Sequence, residues 1–133
     1  MNNTNLVVRS DPATYRLIEI LFGQAKDVNG AVVNVSKAGD VYVYFAGDSI
    51  CTASPGDHAP SNTSWVIYAP AQYVPDGWVV GSFVNDVDRN VTEIGIMLFT
   101  AGTKILLAKT CLAQPVHLSP GQEYKASFQF VLQ

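Results

Sequence analysis

Charge is what this chain has least of. Asp, Glu, Lys and Arg make up 14% of it, and the formal net charge is only −3. Phosphate binding needs concentrated Lys and Arg; the eight present are scattered, which argues against a nucleic-acid partner. No uninterrupted apolar run reaches the length of a membrane span. The opening residues Met1-Asn2-Asn3-Thr4-Asn5 are polar and lack the charged-then-apolar order of a secretory signal, so synthesis in a cytoplasm is expected. Cysteine and histidine are also scarce, at two each. Cys51 and Cys111 form no metal-ligand spacing with one another or with His58 and His117. One disulfide is arithmetically possible. Without an export signal, the expectation is two reduced, partly buried thiols. No cofactor motif is present.

What the chain does have is apolar content, 48% of 133 residues, enough for a single domain spanning 1–133. The closing run alternates: Tyr124, Ala126, Phe128, Phe130 and Leu132 fall on one side, Lys125, Ser127 and Gln129 on the other. A period of two with aromatic and apolar residues inward marks a half-buried strand. Residues 92–99 and 104–109 read as antiparallel strands joined at 100–103. Residues 115–118 form a short link to a turn at 119–122. Upstream, residues 40–46, 65–69 and 78–84 are strands rich in β-branched and aromatic residues. Ser10-Asp11-Pro12 signals a helix start and Gly23 its stop, with Tyr15, Ile18, Leu21 and Phe22 on one face between them. Leu6, Val7 and Val8 are either a first strand or an arm. This spacing predicts a mainly β fold, a β-sandwich of jelly-roll-like form, with one short N-terminal α-helix.

Candidate chemistry is thin. Asp86, Asp88 and Asn90 resemble half a calcium loop, but Val91 stands where glycine is needed and Met97 where the bidentate glutamate is needed. The stretch reads as a solvated hairpin corner. Ser49, Asp57 and His58 can be written as a nucleophile–acid–base set, yet no nucleophile-elbow glycines flank the serine. The reading is of a protein that is not an enzyme. Asn34, Asn62 and Asn90 match the glycosylation pattern by chance in an Asn/Ser/Thr-rich chain. Trp65 and Trp78, with Tyr42, Tyr44, Tyr68 and Tyr73, line either a sugar platform or a sandwich core, and the core is favoured. Exposed, coplanar indoles would point to sugar; buried ones would point to structure. The loop 47–64 is long and polar, and loops of that length are usually functional or mobile.

The stretch Val91-Thr92-Glu93-Ile94-Gly95-Ile96, then Leu106-Leu107-Ala108, then Pro115-Val116-His117-Leu118-Ser119-Pro120-Gly121, resembles a recurring module of tailed-bacteriophage virion proteins. The front half is also similar to that group, with a short helix ending near Gly23, a strand at 41–45, a polar loop and a tryptophan-bearing strand. The chain departs from the module by Met97-Leu98 before Phe99 and by Thr100-Ala101-Gly102-Thr103 in place of an acidic turn. The resemblance implies a virion structural role. The module occurs in capsid decoration (cement) proteins and in attachment domains of tail fibres and adaptors. With nothing distal following it, the expectation is a capsid-decorating homotrimer bound to the major capsid protein or another virion protein, located in the virion. A carbohydrate- or receptor-binding module is the alternative. The partner-binding residues expected are Leu6, Val7 and Val8 of the arm, with Asp48, Asp57 and His58 of the loop.

Overall fold

Strand β4 (Asp40–Gly47) and strand β8 (Arg89–Thr100) are buried on both faces, and the other elements are arranged around them. In β4, Val43, Tyr44, Phe45 and Ala46 are all fully buried. Such a strand reads as a continuous apolar and aromatic run because both of its sides need covering. The computed structural model describes residues 2–8, 24–34, 40–54, 56–61, 63–74, 78–100 and 102–130. Among them the protein is mainly β. The helix expected over 12–23 lies outside the described residues.

The remaining strands are β1 (Asn2–Val8), β2 (Gln24–Lys26), β3 (Val32–Asn34), β5 (Trp65–Pro70), β6 (Gln72–Val74), β7 (Trp78–Val84), β9 (Thr103–Leu118) and β10 (Glu123–Phe130). One sheet has the order β1-β10-β7-β6, and a second has the order β5-β4-β8-β9. A two-stranded ribbon, β2-β3, completes the set. All pairings are antiparallel except β1 with β10, which is parallel and runs from Asn2↔Tyr124 to Val8↔Phe130. Of the two readings of Leu6, Val7 and Val8, the structure therefore has the strand.

The sheets face each other across one core. Val43 and Phe45 of β4 and Ile94 and Ile96 of β8 pack with Val79 of β7 and Tyr124, Ala126 and Phe128 of β10. The expected alternation of the last strand holds for Tyr124, Ala126 and Phe128; the Phe130 side chain and Leu132 lie outside what is described. The opposite face of the second sheet carries its own cluster, Tyr44, Ala46, Met97 and Leu106, packed against Val28, Tyr68 and Phe99.

Two register shifts decide which side chains go to which face. Thr92 has no partner in either neighbouring strand, so Val91 points into the core while Glu93, two residues on, points the other way. A bulge of this kind is the way to break a period of two without ending the strand. Leu107 does the same in β9, separating Leu106 on the outer face from Ala108 in the core. The structure also merges the expected strand 104–109 and link 115–118 into the single strand β9. Pro115 is tolerated because 112–115 bow out of the ladder between Cys111 and Val116, where no N–H is needed.

Two outcomes are expected. Phe128→Ala should cost about 3–5 kcal/mol, the range for emptying a buried aromatic site, measured by chemical denaturation. Removing residues 2–8 strips β10 of one neighbour, so the isolated protein should melt about 5 °C or more lower. An unchanged melting temperature would mean that β1 contributes nothing to the sheet.

Candidate functional site

On the outer face of the second sheet a polar cluster sits under the strap 48–64. Glu93 is its centre and is fully buried. It comes from β8 beside Gly95, whose missing side chain lets the Tyr44 ring lie across the strand; a Cβ there would strike the Tyr44 ring and the Ala108 carbonyl. The Tyr44 hydroxyl donates to Glu93 Oε2 at 2.6 Å. The Ser61 N–H, from the strap, reaches both carboxylate oxygens at 3.2 and 3.3 Å. Burial, and then the Glu93 charge beside it, push the Tyr44 hydroxyl well above its ordinary range, so it stays a donor. A buried carboxylate is costly without hydrogen-bond donors, and the Tyr44 hydroxyl and the Ser61 N–H offset part of that cost.

Next to Glu93 in the ladder is Cys111 of β9, and it is disulfide-bonded to Cys51 of the strap. The expectation of two reduced thiols is thus overturned. The strap folds back over β9 and brings the two α-carbons to 5.6 Å, inside the range a disulfide spans. Spacing in the sequence could not show this, because the pair is 60 residues apart. Cys51 Sγ lies 3.2 Å from Glu93 Oε1. A disulfide sulfur carries no proton, so this is a contact and not a donated hydrogen bond.

Lys109 lies one turn of the pleat further along β9. Its side chain is 4% exposed, and its ammonium group donates to Asp57 Oδ2 at 3.0 Å and to the Ala59 carbonyl at 3.3 Å. Burial alone would raise Asp57. The Ser54 N–H and hydroxyl and the Lys109 ammonium group outweigh it and hold the carboxyl below its ordinary range. At the root of the strap, Asp48 adopts a left-handed φ of 59°. Its carboxylate accepts from the Asn90 N–H at 3.1 Å and the Trp65 indole N–H at 2.9 Å. Asp48 and Asp57 therefore hold the strap down, while His58 packs against the β2-β3 ribbon at Gly30.

The six residues expected to meet a partner are not brought together. Leu6, Val7 and Val8 pair with Phe128, Gln129 and Phe130 in the first sheet, whereas Asp48 lies at the root of the strap on the second, and the adjacent Asp57 and His58 turn to different partners, Lys109 and Gly30. Ser49 Oγ and His58 Nδ1 have no hydrogen-bond partner among the described residues, so the nucleophile–base contact of the Ser49, Asp57, His58 set is not made. Among the described residues no group of three or more His, Cys, Asp or Glu could hold a metal. Asp86 pairs with Arg89 at 2.9 Å and Asp88 with His117 at 3.5 Å, as suits an exposed corner. Buried Asn85 clamps that corner, donating to the carbonyls of Val87 and Ser119 at 2.5 and 3.0 Å.

The tryptophans do not share a platform. Trp65 and Trp78 belong to different sheets, and both are half-buried. Trp65 packs toward the core with Arg89 over its ring. The aromatic surface elsewhere is a shallow groove of about 420 Å³ lined in part by Tyr68, Lys104, Ser61 and Thr63.

Sequence reasoning missed Glu93, Tyr44, Lys109 and the disulfide. One signal was available: a lone glutamate opening the run Ile94-Gly95-Ile96-Met97-Leu98-Phe99, where the alternation has no solvent side. The chain matches no model of a known protein family, no curated protein and no solved structure.

The strap should show an acid limit. A carboxyl depressed in the folded state, as Asp57 is, contributes stability that is present above its unfolded value of about 3.9 and is lost as pH falls through the folded one. Asp27 behaves alike, chiefly through the hydrogen bond from the Ala31 N–H. Melting temperatures should therefore hold from neutral pH down to about pH 4 and then fall. Asp57→Ala should cost about 2 kcal/mol at pH 7, less than a fully buried pair because Asp57 keeps some solvent contact. The acid limb of that variant should be shallower than that of the parent.

Proposed function

We propose that the chain is a structural protein of a tailed-bacteriophage virion, and that it decorates the capsid as a cement subunit. The observation that carries this reading is the resemblance of residues 91–121 to the virion module. That stretch takes in most of β8, all of β9 and the start of the turn before β10. The low surface charge and the bound-up acids of the strap favour a role in assembly over chemistry. The same reading takes the two facing sheets as a jelly-roll-like sandwich, the segment 12–23 as a helix, and the working form as a homotrimer.

The edges suit this role. β1 and β6 end the first sheet and β5 and β9 end the second, as described, and sheet edges add strands from neighbouring chains. A tail-fibre or adaptor module is the same proposal at a different position in the particle. The sugar- or receptor-binding alternative has less support, since the Trp65 indole N–H is already committed to Asp48.

Electron microscopy of particles made with and without this protein tests the reading. Expected are additional three-lobed densities at lattice points of the shell when it is present, and earlier heat-induced genome loss when it is absent. A solution mass of about three times 14.4 kDa should accompany this. Unchanged shells with a missing tail feature would move the protein to the tail. Particles identical in every density and in heat resistance would end the virion reading.

A further inference from the structure

We propose that the Cys51–Cys111 disulfide is a redox-operated clasp on the strap, and that Glu93 is the positioning residue that favours its open, dithiol form. This stands apart from the virion reading and does not depend on it.

The bond joins unlike partners. Cys111 belongs to a long strand paired on β8, whereas Cys51 belongs to an irregular segment in which Ile50, Thr52, Ala53, Ser54 and Gly56 are exposed. Opening the bond therefore breaks no strand pairing. The remaining fasteners lie to either side: Asp48 at the root, then the Asp57–Lys109 pair and the Ser61–Glu93 hydrogen bonds. Ser54 is tied to Asp57 through its N–H and hydroxyl at 2.8 and 2.9 Å, so that between it and Asp48 the residues around Cys51 are held by the disulfide and by the weak exchange between Thr52 and Ser61 at 3.2 Å. Both cysteines are partly exposed, so a small thiol can reach them.

Glu93 biases the equilibrium through a proton that only one state has. In the disulfide, Oε1 faces the lone pairs of Cys51 Sγ at 3.2 Å, which offer it no proton, and it shares the long Ser61 N–H hydrogen bond with Oε2. In the dithiol the same atom accepts the Cys51 S–H, adding a donor to those from Tyr44 and Ser61. The reductant is a low-molecular-weight thiol. Its thiolate attacks Cys111 Sγ in line with the bond, from the side opposite Cys51 Sγ and the carboxylate oxygen in contact with it, forming a mixed disulfide as the Cys51–Cys111 bond breaks. The electron pair passes to Cys51 Sγ, which takes a proton from water and turns it toward Glu93. A second thiolate attacks the small-molecule sulfur of the mixed disulfide and releases Cys111, which is protonated in turn. Two thiols become one small disulfide, and one cystine becomes two cysteines.

The whole chain, equilibrated in buffers of reduced and oxidised glutathione and quenched by alkylation, gives the midpoint by mass spectrometry. Amide hydrogen exchange on the two end states reads the strap. Expected is a reversible two-electron titration in which amides of 50–53 exchange at least about tenfold faster after reduction, while those of β4 and β8 do not change. Glu93→Gln should make reduction about tenfold harder, a shift of ~30 mV toward more negative potential. If that variant does not fold, Cys111→Ser isolates the Cys51 thiol, whose S–H stretch should appear at the low frequency of a hydrogen-bonded thiol. Simultaneous loss of protection in strap and strands would make the disulfide a plain staple and overturn the clasp, as would a strap unmoved by reduction. A midpoint indifferent to Glu93→Gln, or a free-thiol stretch, would remove Glu93 from it.

Discussion

The structure depends on β8 being covered on both faces with different chemistries. Toward the first sheet it presents Val91, Ile94 and Ile96 to an apolar core; on the outer face it presents Glu93 to the strap and Met97 to the cluster with Tyr44, Leu106 and Val28. A regular strand cannot place Val91 and Glu93 on opposite sides, because positions two apart face the same way. The unpaired Thr92 changes the parity, and its own hydroxyl is left buried without a hydrogen bond among the described residues. The cost of one unsatisfied hydroxyl, about 1–3 kcal/mol, is small beside that of putting a carboxylate into the apolar core.

From that change of parity the outer face follows. Gly95 opens room for the Tyr44 ring, Tyr44 reaches Glu93, and the strap supplies Ser61 and Cys51 to the same spot. Lys109 draws Asp57 down beside it. These contacts use charge where the chain has little of it. A buried ion pair contributes little net stability against an apolar replacement, yet breaking one partner is expensive. Such pairs specify where the strap lies more than they tighten the fold.

Strand identity was legible where a period of two or a continuous apolar and aromatic run marks the segment. The alternation of 124–128 and the aromatic run of β4 were read correctly because period and composition agree there. β9 was read in two pieces because Pro115 ordinarily ends a strand, and nothing local announces that 112–115 leave the ladder. The disulfide was misjudged from a compartment argument, while its determinant is the path of the strap over β9. Glu93 was absorbed into a strand pattern, since burial of a polar side chain depends on what covers it from 30 or more residues away, as Ser61 does. The expectation for 12–23 concerns residues outside those described.

The parallel pairing of β1 with β10 has a consequence for how the protein is made. The strands sit side by side in space, yet some 120 residues of chain separate their partners. Contacts of that separation are slow to form, because loop closure must be met before any pairing rewards it. On the ribosome, β1 emerges ahead of the other strands described and has to wait for β10 before the two can pair. The composition of that waiting segment is apt for the delay: Asn2, Asn3, Thr4 and Asn5 keep its leading half soluble, and only Leu6, Val7 and Val8 offer an apolar surface to the wrong partner.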